Sequence, residues 1–192
     1  MVRFVASYIL ALTAASTVLA AQLPDGVYRI IYTPPQTEDA VDSPPHYLTL
    51  ASSKVNATFS PIPMRGAREK AQWWNVTTSE TYNDWRYIES VGHGGVWLGY
   101  PSMDPGTRVR GASVVSTDYT QYVLIDTETD GNYFVYPWGS WDVVLNGDTE
   151  AGPKSRFAYL RDTLPGSSNT TALRFEKVDT SAQSTVWNKQ ES

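Results

Sequence analysis

A two-strand pattern that comes round three times constrains the fold of this chain more than its composition does. Its copies are Asp25-Gly26-Val27-Tyr28-Arg29-Ile30, Asn83-Asp84-Trp85-Arg86-Tyr87-Ile88 and Asp130-Gly131-Asn132-Tyr133-Phe134-Val135. The second and third follow Gln72-Trp73-Trp74-Asn75-Val76 and Gln121-Tyr122-Val123-Leu124-Ile125. A last strand, Leu173-Arg174-Phe175-Glu176-Lys177-Val178, has no successor. Repeats at a spacing of about fifty residues predict a pseudo-threefold fold with Tyr28, Trp85 and Tyr133 at equivalent positions.

Between these copies, apolar and polar residues alternate over short runs, and most of the 25 Pro and Gly fall between the runs. Twelve strands in three sets of four follow. The first set is 27–32, 46–51, 55–60 and 72–77; the second is 85–91, 95–100, 110–116 and 121–127. The third is 132–136, 141–146, 156–161 and 172–178. The firmest hairpins run from Val123 to Tyr133, with Gly131 at the turn, and from Trp74 to Trp85. The acidic, Pro-rich stretch 33–45 reads as a surface loop, and 61–70 as a basic loop framed by prolines.

Residues 1–20 read as a secretory signal peptide: Arg3 precedes an apolar run that ends in the small-residue site Val18-Leu19-Ala20. Residues 21–180 are then one domain, residues 181–192 a loose polar tail, and the protein is expected outside the cell. Arg3 is the one charged residue in the leader, so its removal takes the formal charge from −5 to −6. An acidic chain with scattered Lys and Arg argues against nucleic acid or anionic membrane as partner. There is no cysteine, so an exported domain must rely on packing, which 12 Tyr, 7 Trp and 5 Phe can supply.

Four strands taken three times, the last of each set hairpinned to the first of the next, is the plan of an all-β, twelve-stranded β-trefoil. The opening Leu23-Pro24-Asp25-Gly26-Val27-Tyr28-Arg29-Ile30-Ile31 resembles that of the cysteine-free fungal β-trefoil proteinase inhibitors and, more distantly, of Kunitz-type trefoils. Gln72-Trp73-Trp74 is similar to the Gln-x-Trp motif of ricin-type lectins, which recurs in several lectin repeats; the second repeat here has Gln121-Tyr122-Val123. The inhibitor resemblance implies a non-enzymatic monomer that presents a substrate-like surface loop to a protease. The lectin resemblance implies a glycan partner. A third alternative is a lipocalin-like barrel binding a small ligand, whose Gly-x-Trp opening Gly26-Val27-Tyr28 distantly matches.

Catalytic and metal chemistry finds little support. His93 in Gly92-His93-Gly94-Gly95 resembles a lipase oxyanion loop, but the nucleophile elbow that would accompany it is missing, so His93 reads as a turn residue and His46 as a strand-edge residue. No metal and no cofactor is expected. Asp126 and Glu128, and the cluster Glu38, Asp39 and Asp42, read as solvated carboxylates rather than a glycosidase pair. For inhibition, Pro63-Met64-Arg65-Gly66 is the candidate loop, since prolines hold the approach extended and Arg65 suits a trypsin-like serine protease. Arg108 and Arg110 form a second candidate. For sugar stacking the candidates are Trp97, Trp138 and Trp141, near loop ends. Asn56, Asn75 and Asn169 head N-glycosylation sequons, and Asn75 should point outward if Trp74 and Val76 point inward.

Overall fold

The computed structural model describes residues 22–34, 44–113, 117–147, 156–163 and 171–180. The leader 1–20, most of the acidic loop with Glu38, Asp39 and Asp42, the sequon at Asn169 and the tail 181–192 lie outside them.

Strands form where side chains alternate between core and solvent. They are β1 (Gly26–Tyr32), β2 (His46–Thr49), β3 (Thr58–Ser60), β4 (Trp74–Thr78), β5 (Trp85–Ser90) and β6 (Trp97–Gly99), then β7 (Arg110–Ala112), β8 (Gln121–Asp126), β9 (Asn132–Pro137), β10 (Val143–Gly147), β11 (Arg156–Asp162) and β12 (Leu173–Lys177). Each overlaps its sequence-based counterpart.

Six strands close a barrel by antiparallel pairing in the order β1, β4, β5, β8, β9, β12 and back to β1. The other six make the hairpins β2–β3, β6–β7 and β10–β11, which cap it. β3 pairs with β11, and the bridges Asn56 to Arg110 and Arg108 to Tyr159 join the hairpins to one another. This is the β-trefoil. An eight-stranded lipocalin barrel is excluded, because six strands close this barrel and the others cap it.

Register fixes which residues repeat. Tyr28 lies opposite Trp74, Arg86 opposite Tyr122 and Tyr133 opposite Leu173. Trp74, Tyr122 and Leu173 are fully buried, as are Ile30, Ile88 and Val135 two residues further along β1, β5 and β9. The Trp74 indole N–H also donates to the Leu48 carbonyl at 3.0 Å, which ties barrel to cap. The expected equivalence of Trp85 with Tyr28 and Tyr133 is therefore one residue out. Arg86 takes that place, with 3% exposure. The same slip puts Thr120, not Gln121, at the position of Gln72.

Two local expectations also change. Residues 61–70 do not form one extended loop: Gly66, at φ 62, turns the chain into a 3-10 helix, Gly66–Gln72. Gly92 lets that helix approach, since a Cβ there would meet the Lys70 carbonyl at 2.9 Å. Asp126 and Glu128, which alternation along the sequence would put on one strand face, do not share one. β8 ends at Asp126, whose carboxylate accepts from the Glu128 amide at 2.9 Å in the hairpin turn.

Candidate functional site

Because Arg86, Ile88 and Ser90 point into the barrel, β5 turns Trp85, Tyr87 and Glu89 outward. β8 turns out Gln121, Val123 and Ile125, and β9 turns out Asn132, Phe134 and Tyr136. Trp85 lies opposite Val123, and Val123 opposite Tyr136; Ile125 faces Phe134 one pair further on. Rings and aliphatics predominate on both sides of this wall, with its core side packed and its outer side half-exposed. Its one charged outward side chain, Glu89, accepts from the Gly95 amide at 2.7 Å.

Flanking loops extend the rings. The Trp85 amide donates to the Tyr82 carbonyl at 3.1 Å, and this turn lays the Tyr82 ring on Trp85 with centroids 4.0 Å apart. Trp138 also packs on Trp85, at 4.4 Å between centroids, and Trp141 packs on Tyr136 at 5.3 Å. Tyr82, Trp138 and Trp141 remain 50%, 39% and 62% exposed. The result is a run of partly exposed rings with the polar residues Asn83, Asp84, Ser140 and Asp142 beside it in the chain.

Buried groups hold this run in place. The Arg86 guanidinium donates to the carbonyls of Asn83 at 2.6 Å and Trp85 at 3.1 Å, and to the Gln22 side chain at 3.2 Å. It thus pins the turn that carries Tyr82. The Gln121 carbonyl accepts from the Trp138 amide at 2.9 Å and from the Tyr100 hydroxyl at 2.7 Å. Burial raises the Tyr100 phenol far above its ordinary value, so this donor stays protonated.

Trp138 and Trp141 therefore come together with Tyr82, Trp85 and Tyr136. Trp97 stands apart: it faces Glu89 and Ala112 at the junction of barrel and cap, with no aromatic partner among the described residues. Sequence reasoning missed Tyr82 and Tyr136. The spacing of Tyr82 before the Asn83-Asp84 turn was an available signal for the first.

The basic loop is built differently. Gln72 is fully buried, and its side chain donates to the Ile62 carbonyl at 3.0 Å and to Thr49 at 3.1 Å while accepting from the Met64 amide at 2.7 Å. That grip presents Pro63 and Arg65 to solvent, with Arg65 extended at φ −128 and ψ 157 and Met64 half-buried. Depressions of about 430 and 660 Å³ flank Met64 and Arg68; the first also takes in Lys70 and His93. Arg29 is paired with Glu69. His93 caps this side through a 3.0 Å contact from Nε2 to the Leu50 carbonyl.

Arg108 and Arg110 do not offer a second free loop. The Arg108 guanidinium lies 4.2 Å above the Phe157 ring, and Arg110 binds Asp118 with both oxygens at 2.7 and 2.8 Å. Of the sequons, Asn75 does point outward between buried Trp74 and Val76, while Asn56 is half-buried in its bridge to Arg110.

No protein-family profile matches the chain, and no curated protein sequence does. Solved structures do. A designed threefold-symmetric protein, ThreeFoil, superposes with a TM-score of 0.57 at 16% identity, over 80% of this chain and all of that one. The Rhizoctonia solani agglutinin gives 0.59 at 15% identity, over 82% of this chain and 98% of the other. A Polyporus squamosus lectin, solved with a Neu5Acα2-6Galβ1-4GlcNAc epitope, gives 0.57 at 11% identity, over 82% of this chain and half of its own. Similarity at these identities establishes architecture, and it is the one the strand pairing shows: the chain is a β-trefoil.

Proposed function

We propose that the protein is a carbohydrate-binding β-trefoil that acts outside the cell. The observation that carries this reading is the cluster in which exposed Tyr82 and Trp138 pack on half-buried Trp85, held in place by Arg86 and Tyr100. Ring faces attract the CH-bearing faces of sugars, and a platform fixed before binding loses little entropy when the ligand lands. That a named agglutinin and a named lectin share the architecture supports the same reading. A glycan array with the purified protein tests it, followed by titration of tryptophan fluorescence. Binding that quenches fluorescence is expected. A blank array overturns it.

A second reading is favoured by one separate observation, the Gln72 grip on residues 62–64 that leaves Arg65 extended and exposed. A pre-ordered loop of this kind suits a trypsin-like protease, which docks an extended segment with Arg in its specificity pocket. If the loop inhibits, Arg65→Ala abolishes trypsin inhibition and leaves the melting temperature nearly unchanged. Absence of inhibition by the unaltered protein removes this reading.

A further inference from the structure

The aromatic wall carries more information than the presence of rings. We infer that it takes a neutral, linear, β-linked oligosaccharide laid across several subsites, in preference to a single terminal sugar or a charged glycan; this rests on the carbohydrate reading above.

Extent gives the first argument. Trp85, Val123 and Tyr136 form one row across three strands. Two inter-strand steps span about 10 Å, comparable with a disaccharide, and Tyr82 and Trp141 lengthen the row at either end through their ring contacts. Tyr136 and Trp138 flank Pro137 and so join the two ring clusters.

Shape gives the second. The row lies on the outer wall of a closed barrel, which is convex, so it cannot enclose one sugar the way a concave site does. A convex row of rings gains area only from a ligand that is itself extended. Pyranoses with equatorial substituents and β-linkages present flat CH faces along a chain and suit this; a bent, α-linked chain lifts away.

Charge gives the third. No Lys or Arg is among the outward side chains of β5, β8 and β9, and Arg86 is turned inward. The one carboxylate there, Glu89, is held by the Gly95 amide. Nothing on the wall answers a carboxylate or sulfate, and the chain as a whole is acidic, at −5.

The test is calorimetric titration of the full protein with cello- and chito-oligosaccharides of increasing length, beside malto-oligosaccharides and sialylated and sulfated glycans. Affinity should rise with β-linked chain length, by roughly tenfold or more from the monosaccharide to the longest chain, and should hardly change between low and high salt. Tyr136→Ala and Trp138→Ala should each remove most of that length dependence. Affinity independent of length, or salt-sensitive binding of charged glycans, overturns this inference and leaves the carbohydrate reading standing. No binding to any glycan overturns both. A change of oligomeric state in these variants, with glycan affinity untouched, would make the wall a contact between copies and also overturn the inference.

Discussion

The two halves of the barrel wall have the same inside and opposite outsides. On β12, β1 and β4 the outward side chains include Arg174 and Glu176, Val27 and Arg29, and Asn75 and Thr77. The residues that stand at matching places on β8 and β5 are Val123 and Ile125, and Trp85 and Tyr87. Inward, both halves present buried rings and aliphatics in the same layers, apart from Arg86 at the place that Tyr28 and Tyr133 hold in the other repeats. Packing against two symmetry-related neighbours restricts an inward residue, because interiors tolerate little change of volume. An outward residue answers only to solvent or to a ligand. The polar half is what solvent alone requires, and the apolar half is where the glycan site is proposed.

The sharpest way to break this comparison is to attack the shared interior. Trp74→Ala should cost about 3–5 kcal/mol, from the lost ring and the cavity it leaves, and chemical denaturation measures it. Val123→Ala, outward on the apolar half, should cost well under half as much. If the two match, inside and outside are not distinct.

Next in size is the response to alkali, to which the buried interior contributes. Burial, first among the causes, holds the phenols of Tyr100 and Tyr122 above the ordinary 10.0. The folded protein therefore keeps protons that the unfolded chain releases. The stability these two groups contribute is unchanged below about pH 10 and falls as pH rises beyond it. Tyr122→Phe should soften that fall, since its hydroxyl has no hydrogen-bond partner among the described residues. Melting temperatures across alkaline pH give the answer.

Trp138→Ala sharpens the comparison from the functional side. Glycan affinity should drop by about tenfold, near 1.4 kcal/mol, with a small change in melting temperature. The smallest effect belongs to the polar half. Arg174→Ala should change stability by no more than about 0.5 kcal/mol, because its 3.9 Å pair with Glu176 is exposed, and should leave glycan binding intact.

Much of this architecture was legible in the chain. Alternation and turn residues located all the strands of the barrel and cap. Register was not, and Arg86 shows why. A template that matches aromatic to aromatic assigns Trp85 to the core, because a guanidinium is costly to bury. Here the turn carbonyls and Gln22 meet the donors on Nη1 and Nη2, while Nε has no partner among the described residues, and the buried position accepts the group. The outer wall was hidden for a related reason. In Tyr133-Phe134-Val135-Tyr136 every residue is apolar, so period-two alternation cannot tell which face looks out. Trp138 and Trp141 were visible as rings near loop ends, and Tyr82 had a signal in its place before the Asn83-Asp84 turn, whereas Tyr136 needed the pairing of β8 with β9 to reveal it. The 3-10 helix had a signal that the prolines masked: Ala67, Arg68, Glu69, Lys70 and Ala71 are helix formers.

Barrel closure sets the order in which this fold can be completed. β12 lies between β1 and β9, and Phe175 touches Tyr28 at 6.1 Å and Tyr133 at 5.6 Å. One ring from the last described strand thus bridges the first repeat and the third. Until residues 173–177 emerge from the ribosome, β1 and β9 each keep an unpaired edge, and β9 borders the aromatic wall. A nascent chain in that state offers open backbone beside exposed rings, the combination most prone to sticking to other chains. Pairing of the first strand with the last also carries a high loop-closure cost, which slows folding. Phe175 sits at that closure, its ring packed between those of the two strands that β12 joins.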